Sequence, residues 1–445
     1  MPGFFFFAGT AGAPHLPVPA AGGADCYTRN SPAFATRRTT PLKRILYAWE
    51  LGAGLGHVSR FVPLARALDA RGCGISWALT DSNPAHLLLR DRMDPLYRAP
   101  AFAGSADGLP QDQLFYSEVL LRHGYHDVPT LTALLRDWRA LLEQARPDLV
   151  VADHAPTAML AARSLNLPCA RIGTGFCCPP AADPEPPLHF WEPHDAQRGA
   201  SAVRRVLDSA NGALAAFGAA PLASMAQFHA VDEDFVTTYA ELDHYPQRNR
   251  PRWGVVLGAE SGAAPQWPDL PGPRVFAYLK AGQVQTEPLL RALRRKRCAV
   301  LAYCPGLAPA ARAALETPAL RFSAGPLDIE AVTAQCDLVV CGGGHGTVCA
   351  ALLAGKPLLV APEFGEQGIT QYNVERLGAG LGLLATQTTR AGALLTRLFT
   401  EPGFGRAAQG FRFRHGGTTQ AQIVAAIAAR CAALAQQPRA AREPA

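Results

Sequence analysis

The chain has 445 residues, 49% of them apolar and 18% charged; the length favours two domains, and the composition argues against general disorder. No stretch approaches the roughly 18 uninterrupted apolar residues of a membrane span, and the richest, such as 209–226, are cut by Gly and Pro. The net charge of +6 resides in the ends (Arg29, Arg37, Arg38, Lys43 and Arg44 against Asp25, then Arg430, Arg439 and Arg442 against Glu443), so that 45–429 sums to zero. A folded nucleic-acid surface should carry its charge on the fold, which argues against nucleic acid as a partner.

Residues 1–40 are rich in Gly, Pro, Ala and Thr without a sustained period. The four-residue block Phe4 to Phe7 lacks a preceding basic residue and is too short for a secretory signal. The segment reads as a disordered extension, or as translation from a start upstream of the functional one; 438–445 reads as a loose tail. The eleven cysteines are odd in number, none sits in a C-x-x-C pair, and Cys336, Cys341 and Cys349 lie in apolar stretches. They read as buried thiols in a reducing, cytoplasmic setting, without disulfide framework or metal site.

Between the ends the pattern repeats strand, Gly-rich turn, helix, strand. A strand at 44–49 runs into a glycine cluster, a helix carries Phe61, Leu64, Ala65 and Leu68, and a second strand at 75–79 closes at Thr80-Asp81. An amphipathic helix at 131–144 and a strand at 148–152 follow. A proline-rich loop at 179–187 interrupts, and 243–273 reads as an inter-domain linker. The second round has strands at 275–279, 299–303, 337–341 and 358–361, helices at 287–293 and before Gly355, and a closing amphipathic helix at 419–436. This is the grammar of doubly wound parallel α/β sheets. The boundaries expected are an acceptor-side domain at 41–242, a linker at 243–273, a donor-side domain at 274–418 and a closing helix at 419–437. Ligand is expected at the carboxyl ends of the strands, in a cleft between the domains.

Two glycine clusters carry the chemistry. The first runs Glu50-Leu51-Gly52-Ala53-Gly54-Leu55-Gly56-His57. It misses the third glycine of a dinucleotide fingerprint, although Asp81 could grip a ribose, and by itself it reads more readily as a glycine turn with a structural histidine. The second is Gly342-Gly343-Gly344-His345-Gly346-Thr347, followed by Gly355-Lys356-Pro357 and later by Glu366-Gln367. Consecutive glycines at a helix start leave amides uncovered for phosphate oxygens, and the helix dipole favours the anion.

Three stretches, GLGHVSRFVPLARALDARG, PDLVVADHAPTAMLAARSLNLP and CDLVVCGGGHGTVCAALLAGKPLLVAPEFGEQ, resemble the family 1 UDP-glycosyltransferases of the GT-B fold. The likeness is to bacterial members acting on small lipophilic molecules and, more distantly, to the transferase that adds N-acetylglucosamine to the peptidoglycan lipid intermediate. The resemblance spans about 42–435 and implies two Rossmann-like domains facing across a cleft. It implies His57 as the acceptor's general base, with Asp153 orienting it and Gly54 and Gly56 shaping the acceptor-side turn; Asp148 and His154 are competing readings for the partner. It implies Gly343, Gly344, His345, Gly346 and Thr347 as the donor loop, and Glu366 and Gln367 as the pair that binds sugar hydroxyls.

Three positions depart from the family pattern. Gly342 stands where a phosphate-contacting histidine is usual, Glu366 replaces an aspartate, and the donor domain's first strand runs Tyr278-Leu279-Lys280-Ala281-Gly282 in place of an ending in Gly-Thr or Gly-Ser. Lys280 could supply the missing positive charge; it is equally a solvated strand-end lysine.

A hydroxyl acceptor needs its proton removed as the bond forms, a task suited to neutral histidine. A carboxylate on the other ring nitrogen fixes the tautomer and stabilises the imidazolium. Amides stabilise the leaving diphosphate, and no D-x-D element stands in a position suggesting a magnesium requirement. The expected activity is inverting, metal-independent transfer from a nucleotide-sugar, UDP by family default and dTDP as the other option, with no further cofactor. The acceptor is a small lipophilic or lipid-linked hydroxyl compound, for which 101–127 and 174–193 (Phe102, Phe115, Tyr116, Phe176, Phe190 and Trp191) would shape the pocket. The location expected is cytoplasmic, with room for peripheral contact at the inner face of the membrane. A nucleotide-sugar epimerase, a non-catalytic nucleotide-sugar-binding helper and a nicotinamide-dependent oxidoreductase are the alternatives.

Overall fold

A computed structural model of the chain describes residues 43–52, 54, 56–81, 88–92, 94–258 and 262–437. The expected extension at 1–40 and the tail at 438–445 lie outside them. The chain forms two compact units. One takes the described residues of Met1–Thr238, Gln247–Trp253 and Val424–Ala445, the other Tyr239–Pro246 and Gly254–Ile423. The segment at 243–273 is thus shared between the units, and the last helix, Gln420–Ala435, begins in one and continues in the other.

The first unit is built on β1 (Lys43–Trp49), β2 (Cys73–Leu79), β3 (Leu96–Arg98), β4 (Leu149–Asp153), β5 (Cys169–Gly173) and β6 (Glu233–Val236). Every pairing is parallel and the order is β3-β2-β1-β4-β5-β6. All five residues of β4 and of β5 are buried, as expected of strands covered by helices on both faces. Helix Val128–Ala145 is bounded by local chemistry at both ends: Asp127 caps it by accepting from Thr130 N, and Arg146 ends it in the left-handed conformation.

The second unit repeats the plan with β7 (Arg274–Tyr278), β8 (Ala299–Tyr303), β9 (Leu320–Phe322), β10 (Leu338–Cys341), β11 (Leu358–Val360) and β12 (Gly380–Gly382) in the order β12-β11-β10-β7-β8-β9. Numbered from its own first strand, this is the 3-2-1-4-5-6 order of the first unit. Two apolar layers cover its sheet, one around Val339, Val348 and Phe411, the other around Val340, Leu289 and Leu395.

In both units the order reverses beside the first strand, between β1 and β4 and between β7 and β10. An open parallel sheet has a crevice at the carboxyl ends of the strands at such a point. Among the described residues no helix is long and apolar enough to cross a membrane.

Candidate active site

In the first unit, the register that pairs Trp49 with Asp153 brings the end of β4 beside the end of β1. The turn after β1 needs glycine twice, since Gly52 and Gly54 hold φ of 93° and 92°. Leu51 N donates to the carbonyl of His154 at 2.9 Å, and Thr80 Oγ1 donates to the carbonyls of Trp49 and Glu50. The turn is thereby tied to the ends of β4 and β2. Gly56 opens helix Gly56–Asp69, which places His57 in its first turn.

His57 Nδ1 lies 2.9 Å from Asp153 Oδ1. Asp153 Oδ2 accepts from Tyr47 Oη at 2.7 Å and from Arg60 Nη2 at 3.4 Å. Burial alone would raise the Asp153 carboxyl; its electrostatic attraction to the His57 imidazole and the Arg60 guanidinium, with the hydrogen bonds from His57 and Tyr47, holds it well below the usual carboxylate range. An ionised carboxylate only accepts, so the imidazole proton sits on Nδ1 and the lone pair on Nε2. A Cβ at Gly52 would stand 2.8 Å from that Nε2, so the bare backbone of Gly52 leaves room for it.

The two competing readings for the partner separate here. Asp148 stands at the opposite end of β4, where its Oδ2 accepts from Arg44 N at 2.8 Å. His154 follows Asp153 at φ 48° and is buried, its ring centre 6.3 Å from that of His57. Burial first, then the neighbouring His57, pushes the His154 imidazole down to about 3, so it is neutral. The rings of Tyr116 and Phe176, at 6.0 and 5.8 Å from His154, form an aromatic cluster with it. Phe115 is buried beneath Gly199, and Phe102 packs on His126, so these two close over the interior. Phe190 and Trp191 are half-buried and meet edge to face. Asp81 is half-buried just beyond β2.

In the second unit, Gly342 to Gly344 join β10 directly to helix His345–Leu353. Gly343 has φ 90°, and a Cβ there would meet Val360 Cγ1 at 2.9 Å; Gly344 and Gly346 are exposed and Thr347 half-buried. The first-turn amides of this helix point out of its N-terminus, the arrangement that favours an anion. The His345 ring turns inward, with Nε2 3.3 Å from Cys349 Sγ. Glu366 is half-buried, and its carbonyl lies 3.3 Å from His244 Nε2. Gln367 is buried, and its Oε1 accepts from Glu363 N at 2.8 Å, bracing the turn after β11.

Lys280 is exposed just beyond β7. The side chain that approaches Gly342 is Gln283: its Nε2 and Oε1 lie 3.7 and 3.9 Å from where a Cβ at 342 would stand, and Nε2 donates to Glu363 Oε2 at 2.8 Å. Among the described residues no group of three or more His, Cys, Asp or Glu is placed to hold a metal.

Tyr47, Arg60, His244 and Gln283 join the site without having been expected from sequence. Arg60 had a local signal, since it lies three residues after His57 on one helix face. Tyr47, His244 and Gln283 had none, because their partners are 80 to 122 residues away in the chain: Asp153 is 106 residues from Tyr47, Glu366 is 122 from His244, and Glu363 is 80 from Gln283.

No protein-family model matches the chain. A PGL/p-HBAD biosynthesis glycosyltransferase of Mycobacterium tuberculosis is 28% identical over 394 residues, which cover 82% of this chain and 86% of the relative. A PGL/p-HBAD biosynthesis rhamnosyltransferase of Mycobacterium bovis is 28% identical over 380 residues, 81% of this chain and 80% of the relative. Among solved structures, the glycosyltransferase VinC in complex with dTDP matches with a TM-score of 0.61 at 17% identity, over 88% of this chain and 99% of VinC.

Proposed function

From the premise that the chain is a glycosyltransferase of the GT-B fold, we propose that it moves a sugar from a nucleoside-diphosphate donor to a hydroxyl of a small lipophilic or lipid-linked acceptor. The transfer inverts the anomeric centre and uses neither a metal nor a cofactor beyond the donor itself. The observation that carries this reading is the 2.9 Å contact of His57 Nδ1 with a buried, ionised Asp153. That contact leaves Nε2 as the basic nitrogen.

In the proposed step, the acceptor hydroxyl hands its proton to His57 Nε2 as its oxygen attacks the anomeric carbon. The bond from that carbon to the diphosphate oxygen breaks on the opposite face. Asp153 stabilises the imidazolium. The amides at 343–347 receive the charge growing on the leaving diphosphate. Lys280 adds positive charge at the same loop cluster, and Glu366 and Gln367 bind the sugar. UDP and dTDP both belong in the test, since the structural neighbour VinC holds dTDP. Cytoplasmic location and contact with the membrane's inner face remain parts of this proposal.

The test is a panel of nucleotide-sugars screened by thermal shift, followed by a donor-hydrolysis assay that needs no acceptor. Stabilisation by at least one UDP- or dTDP-sugar, with slow hydrolysis of the same compound, is the expected result. A chain that no nucleotide-sugar stabilises would contradict the proposal. Rapid conversion of the donor to an epimer, without acceptor, would point to an isomerase instead.

A further inference from the structure

We propose that Arg60 is a positioning residue of the His57–Asp153 pair, one that fixes the carboxylate and sets a permanent cation against charge on the imidazole. The inference rests on the reading of His57 as the base. Arg60 lies one turn beyond His57 on helix Gly56–Asp69, and its side chain is 12% exposed. Its Nη2 is 3.4 Å from Asp153 Oδ2 and 3.4 Å from His57 Nδ1.

The second of these contacts brings two donors together. Nδ1 already carries the proton that it shares with Asp153 Oδ1, so the guanidinium gains nothing from it. Protonation of Nε2 then places a full positive charge on a ring beside a permanent cation, where little water screens the pair. Asp153 favours that charge and Arg60 opposes it. Among the described residues, the other titratable groups facing the pair are the phenol of Tyr47 from β1, the imidazole of His154 beyond β4, and the thiol of Cys177 in the segment after β5. Burial and then Asp153 raise the Tyr47 phenol well above its usual range, and His154 is neutral, so neither brings a second charge. Arg60 is therefore the only fixed cation on the pair among these groups. With Tyr47 it also occupies Oδ2, which leaves Oδ1 to His57.

Histidine-labelled full-length chain, titrated by NMR without substrate, tests this directly; the His57 signal is identified by its loss in His57→Gln. Arg60→Gln and Arg60→Met both remove the cation, and each should move the His57 midpoint to higher pH by roughly half a unit or more. Arg60→Lys should hold it near its original place. The signals of buried His154 and His229 report whether each variant keeps its fold. A midpoint that stays or falls in the folded neutral variants overturns the proposal, as does a shift in Arg60→Lys as large as in Arg60→Gln. Failure of the base reading itself would show elsewhere, as full activity in a chain lacking the His57 imidazole.

Discussion

His57 and Asp153 stand 96 residues apart in sequence and 2.9 Å apart in space. Neither is brought there by its own neighbourhood. Asp153 is the last residue of β4, paired in register with Trp49 at the end of β1, and the glycine turn that follows Trp49 swings His57 back over that strand end. The contact therefore depends on β1 and β4 being sheet neighbours, which follows from the reversal of strand order at that point.

If Nε2 is the base, His57→Ala should lower turnover by about 100- to 10,000-fold while nucleotide-sugar binding survives. Initial rates together with calorimetric donor affinity would separate the two. Full activity in this variant would remove the mechanism.

Gly52 and Gly54 share a left-handed backbone but not the same surroundings. An added methyl meets His57 Nε2 at 2.8 Å in Gly52→Ala, and nothing within 4 Å in Gly54→Ala. Both should lose about 1–2 kcal/mol of stability from backbone strain. Only Gly52→Ala should also lose at least about tenfold in turnover, because its methyl crowds the basic nitrogen. Equal activity losses in the two, measured by initial rates alongside chemical denaturation, would show that the crowding does not matter.

Glu50 is buried behind the same turn and accepts from Thr157 N at 2.8 Å and Ala158 N at 3.4 Å. Burial raises its carboxyl from 4.5 to about 7 against the lowering effect of those bonds. A raised carboxyl favours folding while it is protonated. That contribution is complete below the unfolded value and is lost as pH rises through about 7. Glu50→Gln keeps an acceptor for Thr157 N without a titrating proton. Its melting temperature relative to the unaltered chain should therefore climb from about pH 4.5 to about pH 7 and level off above that, as read by thermal melts in matched buffers.

For Lys280 the expected outcome is a loss of nucleoside-diphosphate affinity in Lys280→Ala of about three- to tenfold, larger at low salt, because an exposed charge is screened by ions. Titration calorimetry at two ionic strengths decides it. Unchanged affinity would leave the charge at Gly342 unreplaced by this residue and turn attention to Gln283, whose amide lies beside that glycine.

Much of the fold was legible because it is written in short-range pattern. Buried runs such as Leu149–Asp153, glycine clusters after strands and amphipathic helices announce themselves within ten or twenty residues. Several strand ends moved by one or two residues, and the move matters once: the strand read at 148–152 lies at Leu149–Asp153, which puts the aspartate inside the sheet. The strands β3, β5, β6, β9 and β12 passed unread because a charged residue or a glycine interrupts each (Arg98, Arg171, Glu233 and Asp234, Arg321, Gly380 and Gly382), whereas the equally short β11 is an unbroken apolar run.

Sequence by itself determined that this is a twice-repeated parallel α/β chain, with a histidine after one glycine turn and a glycine-rich helix start in the other half, since backbone propensity and apolar spacing act locally. Which side chains surround those features was decided only in three dimensions. Tyr47 and Arg60 join Asp153, Asp148 is carried to the far end of β4, His345 turns inward to Cys349, and Gln283 comes to face Gly342. Such contacts follow from strand order and register, which bring together residues that no local pattern links.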